Sequence, residues 1–508
     1  MHSNSTKKEV NLPLVLLGFA GFTLFLLFVD LQPGYFIITK TAAIALLLAY
    51  LWVTESLPIG VTSLLPLVLF PLLGVSDGKD ISNAYVNYVI FLYIGGFIMA
   101  LAIEKWDLHR RIAIGILRIL GGSHLKILAG FMVASAFLSM WMSNSATAMM
   151  MLPIAFSVIL TLEKIYAESA DNRGLSVGLL LSVAYGCSVG GIATLVGTPP
   201  NLAFARILNI IYPQAPEISF GQWFLFALPL TVIMFFVVLL VLFYMFPLKK
   251  KLELPAGYFK AEYKKLGAVS AEEKRVLILF IILIFLWVFR RPLTLGSFTI
   301  PGWSLLFPQA DFINDGTVAI FMAVLLFLVP STRKNENLVQ WNIITKVPWG
   351  IVLLFGGGFA LAQAVVDSGL ATFIGEKLVG ASEFSQFGLL TAVTGLMTVL
   401  TEFTSNTATT EMMLPIIAGL SDSIGVNPLF LMIPVTLAAS MAFMFPIATP
   451  PNAVVFGTGR LKLMDMFKAG IIINIVSIFV ITVFTLFWGT IVFEIDPNVL
   501  PAWADGVE

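Results

Sequence analysis

Cysteine is nearly absent from this chain, histidine is scarce and charge is thin. The one cysteine, Cys187, excludes a disulfide framework and any zinc site built on thiolates. The three histidines, His2, His109 and His124, stand at the terminus or beside charged loop residues, and they read as solvated surface groups rather than ligands. Charged residues make up 11% of the 508, against about 25% in soluble domains. Net charge is zero, which argues against nucleic acid as a partner. Neither G-x-x-x-x-G-K-[ST] nor H-E-x-x-H occurs. An ATP-driven pump and an intramembrane metalloenzyme therefore lack their chemistry. No catalytic residue and no cofactor are expected.

What the chain has is oil. Hydrophobic residues reach 58%, in long runs that recur from end to end and predict an all-α polytopic membrane protein held in a lipid bilayer. The spacing predicts about eleven spans, at 12–29, 38–54, 58–74, 85–103, 175–208, 222–246, 276–290, 316–330, 348–366, 428–459 and 470–494. Two further apolar stretches, 125–162 and 386–420, are too long for one span and carry polar residues at their centres. They read as re-entrant hairpins, whose tips need not face lipid.

The first apolar stretch, Leu12–Val29, follows Lys7 and Lys8 but is too long for a signal-peptide core and lacks a small-x-small cleavage site. It is expected to stay as a first helix. With the N-terminus inside, all but six of the 29 Lys and Arg fall on the inner side; the six are Lys40, Lys79, Arg206, Arg290, Arg291 and Lys377. This bias predicts a cytoplasmic N-terminus and an extracytoplasmic C-terminus. The sequon Asn4-Ser5-Thr6 is then cytoplasmic and without meaning. Compact loops and the lack of a targeting segment suit a bacterial inner membrane.

The chain repeats itself. Gly95-Gly96-Phe97 pairs with Gly357-Gly358-Phe359, Ser143-Asn144 with Ser405-Asn406, and Pro153 with Pro415, each at one constant offset. VGTPPNLAF at Val196 then pairs with IATPPNAVVF at Ile447. An odd number of spans separates the copies, so the second sits upside down in the membrane. Inverted repeats with interrupted helices point to a secondary transporter whose site lies at the midplane. The expected organisation is an N-terminal helix at 1–36, a first repeat at 37–246 and a basic cytoplasmic linker at 247–275. A second repeat at 276–495 and an extracytoplasmic tail at 496–508 follow. Breaks are expected at 197–201 and 448–452, where two consecutive prolines interrupt each helix.

Each hairpin tip and each break brings a half-helix N-terminus and a half-helix C-terminus to one depth. A helix N-terminus acts as about +0.5 charge and a C-terminus as about −0.5. Four N-termini offer on the order of +2, matched to a dianion, while free carbonyls suit small hard cations. The motif side chains are hydroxyls and amides, able to ligate carboxylate or sodium without carrying charge. Desolving a bare dianion costs about 20 kcal/mol per charge in the idealised limit, which is a reason to bind cations with it. A channel would need a continuous polar pore, whereas these polar groups gather at single depths. Met149, Met150 and Met151 read as packing. Glu402 and Glu411 lie in the second hairpin alone, opposite Met140 and Met149, and a structural role is preferred because a symmetric coupling site belongs in both halves.

With these paired motifs, the chain resembles the divalent-anion/sodium symporter family of dicarboxylate and citrate carriers over nearly its whole length. The resemblance implies a homodimer and an elevator-type transporter moving C4-dicarboxylates such as succinate, malate or fumarate, with sodium as the coupling ion. A sodium-independent dicarboxylate exchanger is the alternative the family contains. It also implies that Asn144, Ser145, Asn406 and Thr407 hold the substrate carboxylates with Thr198, Pro199, Thr449 and Pro450. A first sodium site would use Ser139, Ser143, Asn144 and the backbone of Gly197; a second would use Thr401, Thr404, Asn406 and the backbone of Ala448. Ser145 departs from the family's usual threonine, keeping the hydroxyl and losing the methyl.

Overall fold

Apolar runs with few breakers become helices here because, in hydrocarbon, backbone N–H and C=O groups must pair within their own segment. The computed structural model describes residues 10–504 apart from 121–122, 166–171, 248–253, 256 and 297. His2, the sequon, Lys7, Lys8, part of the basic linker and the end of the acidic tail lie outside the described residues.

The first half contains α1 Leu12–Phe28, α2 Phe36–Thr54, α3 Ile59–Thr62, α4 Pro66–Leu72, α5 Gly78–Ala84 and α6 Tyr88–Lys105. It continues with α7 Leu108–Leu120, α8 His124–Ser139, α9 Asn144–Ile165, α10 Asn172–Gly191, α11 Pro199–Ile211 and α12 Phe220–Met245. The linker helix α13 Tyr258–Lys265 and α14 Ala271–Val288 lead to a small antiparallel hairpin, β1 Leu293–Leu295 and β2 Phe298–Ile300. Then come α15 Asp315–Leu328, α16 Trp349–Asp367, α17 Leu370–Lys377, α18 Gln386–Thr401 and α19 Asn406–Ile424. The chain closes with α20 Pro428–Ala439, α21 Pro450–Phe456, α22 Leu463–Phe484 and, past a π-helical turn, α23 Thr490–Val492.

Seven helices among the described residues are long and apolar enough to cross a membrane, by length and composition. Other expected spans are built from shorter pieces. The stretch 58–74 divides into α3 and α4 because Pro66 starts a new helix. Helix α14 opens with Glu272, Glu273, Lys274 and Arg275, capped by Ser270 through reciprocal bonds with Glu273. Leu16, Leu17, Phe236, Ile281, Phe285, Ile475 and Phe479 stand exposed on α1, α12, α14 and α22, as side chains that meet acyl tails would.

Both breaks begin earlier than the prolines suggest. Helix α10 ends at Gly191 and α20 at Ala439, leaving 192–198 and 440–449 without helix. Pro199 and Pro450 then open α11 and α21 at their first turn. Proline lacks an N–H that the first turn would not use, so it starts these helices instead of lying within the unwound chain. Helix α7 and the β-hairpin were not anticipated; α7 buries Leu108, Arg111, Ala113, Ile114 and Leu117 on one side. The described part of the linker is docked. Phe259 is buried and α13 packs on α7. Arg111 donates from Nε to Glu273 Oε1 at 2.8 Å and from Nη2 to the Ala268 carbonyl at 3.3 Å.

Candidate functional site

Four interruptions between helices, two in each half, are built from related residues. In the first half, α8 stops at Ser139 and α9 restarts at Asn144. The Asn144 amide lies on the Ser139 hydroxyl and 3.2 and 3.3 Å from the carbonyls of Cys187 and Gly197, which fixes its NH2 as the group turned toward these acceptors. Thr194 ties the first break to this tip: its hydroxyl donates to the Met140 carbonyl at 2.5 Å and accepts from Gly197 N at 3.0 Å. Asn201, on the first turn of α11, donates back to the carbonyls of Ile192 and Thr194 at 3.2 and 2.8 Å.

The second half repeats this with one substitution of means. Thr401, the partner of Ser139, places its hydroxyl 2.7 Å from Asn406 Oδ1 and 2.6 Å from the Ala439 carbonyl. Asn452, the partner of Asn201, donates to the carbonyls of Ala442 and Phe445, both at 3.1 Å. Where Thr194 joins tip to break in the first half, Glu402 does so in the second. Its carboxylate accepts from the backbone N–H of Phe443 at 2.7 Å, Met444 at 2.9 Å and Phe445 at 3.3 Å, and from Asn474 Nδ2 at 2.6 Å. Glu402 is therefore a paired, positioning group. Burying those amides unpaired would cost about 1–3 kcal/mol each, so the carboxylate decides the shape of the second break.

The two breaks touch. Thr198 Oγ1 stands 3.4 Å from Ser440 Oγ, and the Tyr185 hydroxyl donates to the Phe443 carbonyl at 2.7 Å. The halves cross over: α9 packs on α21 and α19 packs on α11. Each crossing is fastened near its far end, by Arg460 on Glu163 and by the Tyr212 hydroxyl on Asp422 at 2.6 Å. A chain of polar contacts thus runs from Asn144 through Gly197, Thr198, Ser440, Ala439 and Thr401 to Asn406.

Oxygens gather around Gly197. A β-carbon built there would fall 2.5 Å from the Gly191 carbonyl, 3.0 Å from the Ser139 carbonyl and 3.0 Å from Thr194 Oγ1. Of the residues expected for a first sodium site, Ser139, Asn144 and Gly197 are together. Ser143 instead accepts from Ala146 N at 3.2 Å at the start of α9. Of the second set, Thr401 and Asn406 are bonded and Ala448 is buried. Thr404 turns its hydroxyl to the Leu400 carbonyl at 2.7 Å and to Thr409 Oγ1 at 2.5 Å. Ser145 is half-buried on the first turn of α9, Thr407 is buried on α19, Pro199 is half-buried and Thr449 buried, while Pro450 is exposed. Gly191, Thr194, Asn201, Ser440 and Asn452 were missed by sequence reasoning. The two asparagines follow Pro-Pro in both motifs, and that repetition was the available signal.

The spacing G-x-S-x-G of serine hydrolases occurs at 74–78, 174–178 and 186–190. The first joins helix α4 to helix α5 and the others lie inside α10. Among the described residues no strand leads into any of them, so none shows the strand–turn–helix setting of a nucleophile elbow.

The family model described as the sodium:sulfate symporter transmembrane region matches residues 34–495. The chain belongs to this family. Among relatives of the sodium:sulfate symporter family, the sodium-dependent dicarboxylate transporter SdcS of Staphylococcus saprophyticus is 39% identical over 465 residues, covering 89% of this chain and 86% of the relative. SdcS of Staphylococcus aureus is 38% identical over 493 residues, covering 95% and 92%. Among solved structures, the Alcanivorax borkumensis YdaH transporter aligns with TM-score 0.53 at 14% identity, covering 80% of this chain and 86% of that one. Neisseria gonorrhoeae MtrF aligns with TM-score 0.52 at 12% identity, covering 80% and 82%. These two likenesses concern the fold alone. The family and its SdcS relatives are transporters, so this multi-pass membrane protein is a transporter and not an enzyme.

Proposed function

We propose that this chain is a secondary transporter of C4-dicarboxylates such as succinate, malate and fumarate, driven by inward symport of sodium. The observation that carries the reading is the contact of the two breaks at Thr198 and Ser440, which makes one polar site from two related halves. The SdcS relatives, named as sodium-dependent dicarboxylate transporters, support the substrate class and the coupling ion.

In this reading Asn144 and Ser145 take one carboxylate, and Asn406 and Thr407 take the other. The Thr198-Pro199 and Thr449-Pro450 backbones close around the anion. The oxygens near Gly197, with Ser139, Ser143 and Asn144, receive one sodium; Thr401, Thr404, Asn406 and the Ala448 backbone receive a second. Their charge offsets the cost of desolvating the dianion. The halves form an inverted repeat with re-entrant hairpins at 125–162 and 386–420, in a homodimer whose hairpins and broken helices move together as an elevator. The N-terminus is cytoplasmic and the C-terminus extracytoplasmic, in a bacterial inner membrane.

The test is uptake of labelled succinate into proteoliposomes, comparing an inward sodium gradient with internal dicarboxylate alone. Stimulation by sodium is the expected result. Stimulation by internal anion alone would make the protein an exchanger, and uptake of sulfate but not succinate would overturn the substrate.

A further inference from the structure

Glu411 is the buried carboxyl that the transport reading does not use. It sits on α19, five residues beyond Asn406, with no exposed surface and with both oxygens lacking a hydrogen-bond partner among the described residues. It faces α16 across the contact between the two helices. A β-carbon built on Gly358 would overlap the carboxyl, so the absence of a side chain there is what admits the group. Tyr85 is the titratable side chain that faces it, and the Tyr85 hydroxyl is committed to the Ser63 carbonyl at 2.5 Å.

None of the charges on the other packed elements, among the described residues, bonds to it. Lys40 of α2 donates to the Leu73 carbonyl and Arg206 of α11 to Asn209. Glu402, after α18, holds backbone amides, and Asp422, at the end of α19, accepts from Tyr212. On α16 and α17, Asp367 accepts from Gln363 and Lys377 lies over the Phe373 ring; Glu376 and Glu383 complete the set. In the first half the corresponding position is Met149, which is exposed.

An ionised carboxylate here would have neither a bonded counter-ion nor a donor among the described residues, and no exposed surface. Such burial is tolerated when the group is neutral. We propose that Glu411 is a proton-binding site, carried as the neutral acid while α19 lies against α16, and that loss of its proton to water arrests the sliding of α19 over the α16 backbone at Gly358. The inference rests on the transport reading, and it adds a proton requirement that one half alone possesses.

Infrared difference spectra of purified wild type against Glu411→Gln test it without transport. A carbonyl stretch of a protonated carboxyl at neutral pH, lost in the variant, is expected; an ionised carboxylate band in its place overturns the proposal. In proteoliposomes, wild-type uptake is expected to fall by up to about tenfold per pH unit on the alkaline side, following the neutral fraction. Glu411→Gln and Glu411→Leu, both neutral, are expected to keep uptake and lose that fall. An unchanged pH profile in both variants would overturn the proton site. Failure of wild type to take up succinate at any pH would instead refute the transport reading, leaving the spectra to decide on Glu411.

Discussion

Thr198 Oγ1 and Ser440 Oγ stand 3.4 Å apart, although 242 residues separate them in sequence. Each terminates or begins an interruption in its own half, so this contact joins the halves where both lack helical hydrogen bonds. Removing it tests whether they act as one site. Thr198→Val and Ser440→Ala are each expected to lower succinate uptake. A double-mutant cycle on the apparent affinity should give a coupling of about 0.5–1.5 kcal/mol, the worth of one such bond. Strict additivity would argue for two independent sites.

Asn144→Ala and Asn406→Ala each remove an amide from a hairpin tip. Hydrogen bonds to charged groups are worth about 1.5–3 kcal/mol, so uptake at limiting succinate should fall by roughly tenfold or more. The variants should still elute as folded protein, because each tip retains its helix ends. Undiminished uptake would remove these residues from the site.

Gly197→Ala places a methyl among the carbonyls of Gly191 and Ser139. These are backbone atoms, unable to rotate away. The expected outcome is a higher sodium concentration for half-maximal uptake, measured at saturating succinate. A sodium dependence equal to that of wild type would put the ion elsewhere.

Glu402→Ala strips the second break of the acceptor for three backbone N–H groups and Asn474. A loss of several kcal/mol of stability is expected from unpaired buried donors at about 1–3 kcal/mol each. It would be read as a lowered melting temperature in detergent. Glu402→Gln, which keeps an acceptor oxygen, should fall between that variant and wild type.

Acid should loosen the junction between α14 and the turn after α15. Thr332 donates to Glu272 from its hydroxyl and its N–H at 2.5 and 2.6 Å, and these bonds hold the carboxyl down to about 2. A value depressed on folding stabilises the fold above the unfolded carboxylate range, about 4.3, and the contribution is lost as pH falls through the folded value. The melting-temperature gap between wild type and Glu272→Gln should therefore be full at neutral pH and close between about pH 4 and pH 2. A gap independent of pH would show that the charge is immaterial.

Much of this was legible in the primary structure. The apolar runs gave the helices, since hydropathy and helical pairing are local. The recurrence of Ser-Asn and Thr-Pro-Pro-Asn marked where helices α9, α11, α19 and α21 begin. Helix α7 escaped because its basic residues hide a buried face that exists only once α8 and α13 pack on it. The early start of the breaks escaped for a related reason. Nothing in Ile192-Ala193-Thr194 forbids a helix; the loop is held open by the Thr194 bond to Met140 of another segment and by Asn201 bonding back from α11.

What the chain's order of residues decided alone was the oily class, the doubled motifs and the chemistry of uncharged hydroxyls and amides, because these depend on composition and spacing. Tertiary structure decided which half-helices cross, that Thr198 meets Ser440, and that of two similar glutamates Glu402 finds four donors while Glu411 finds none among the described residues. Those outcomes depend on which backbone groups folding leaves unpaired nearby, a property of distant segments brought together and of no single stretch.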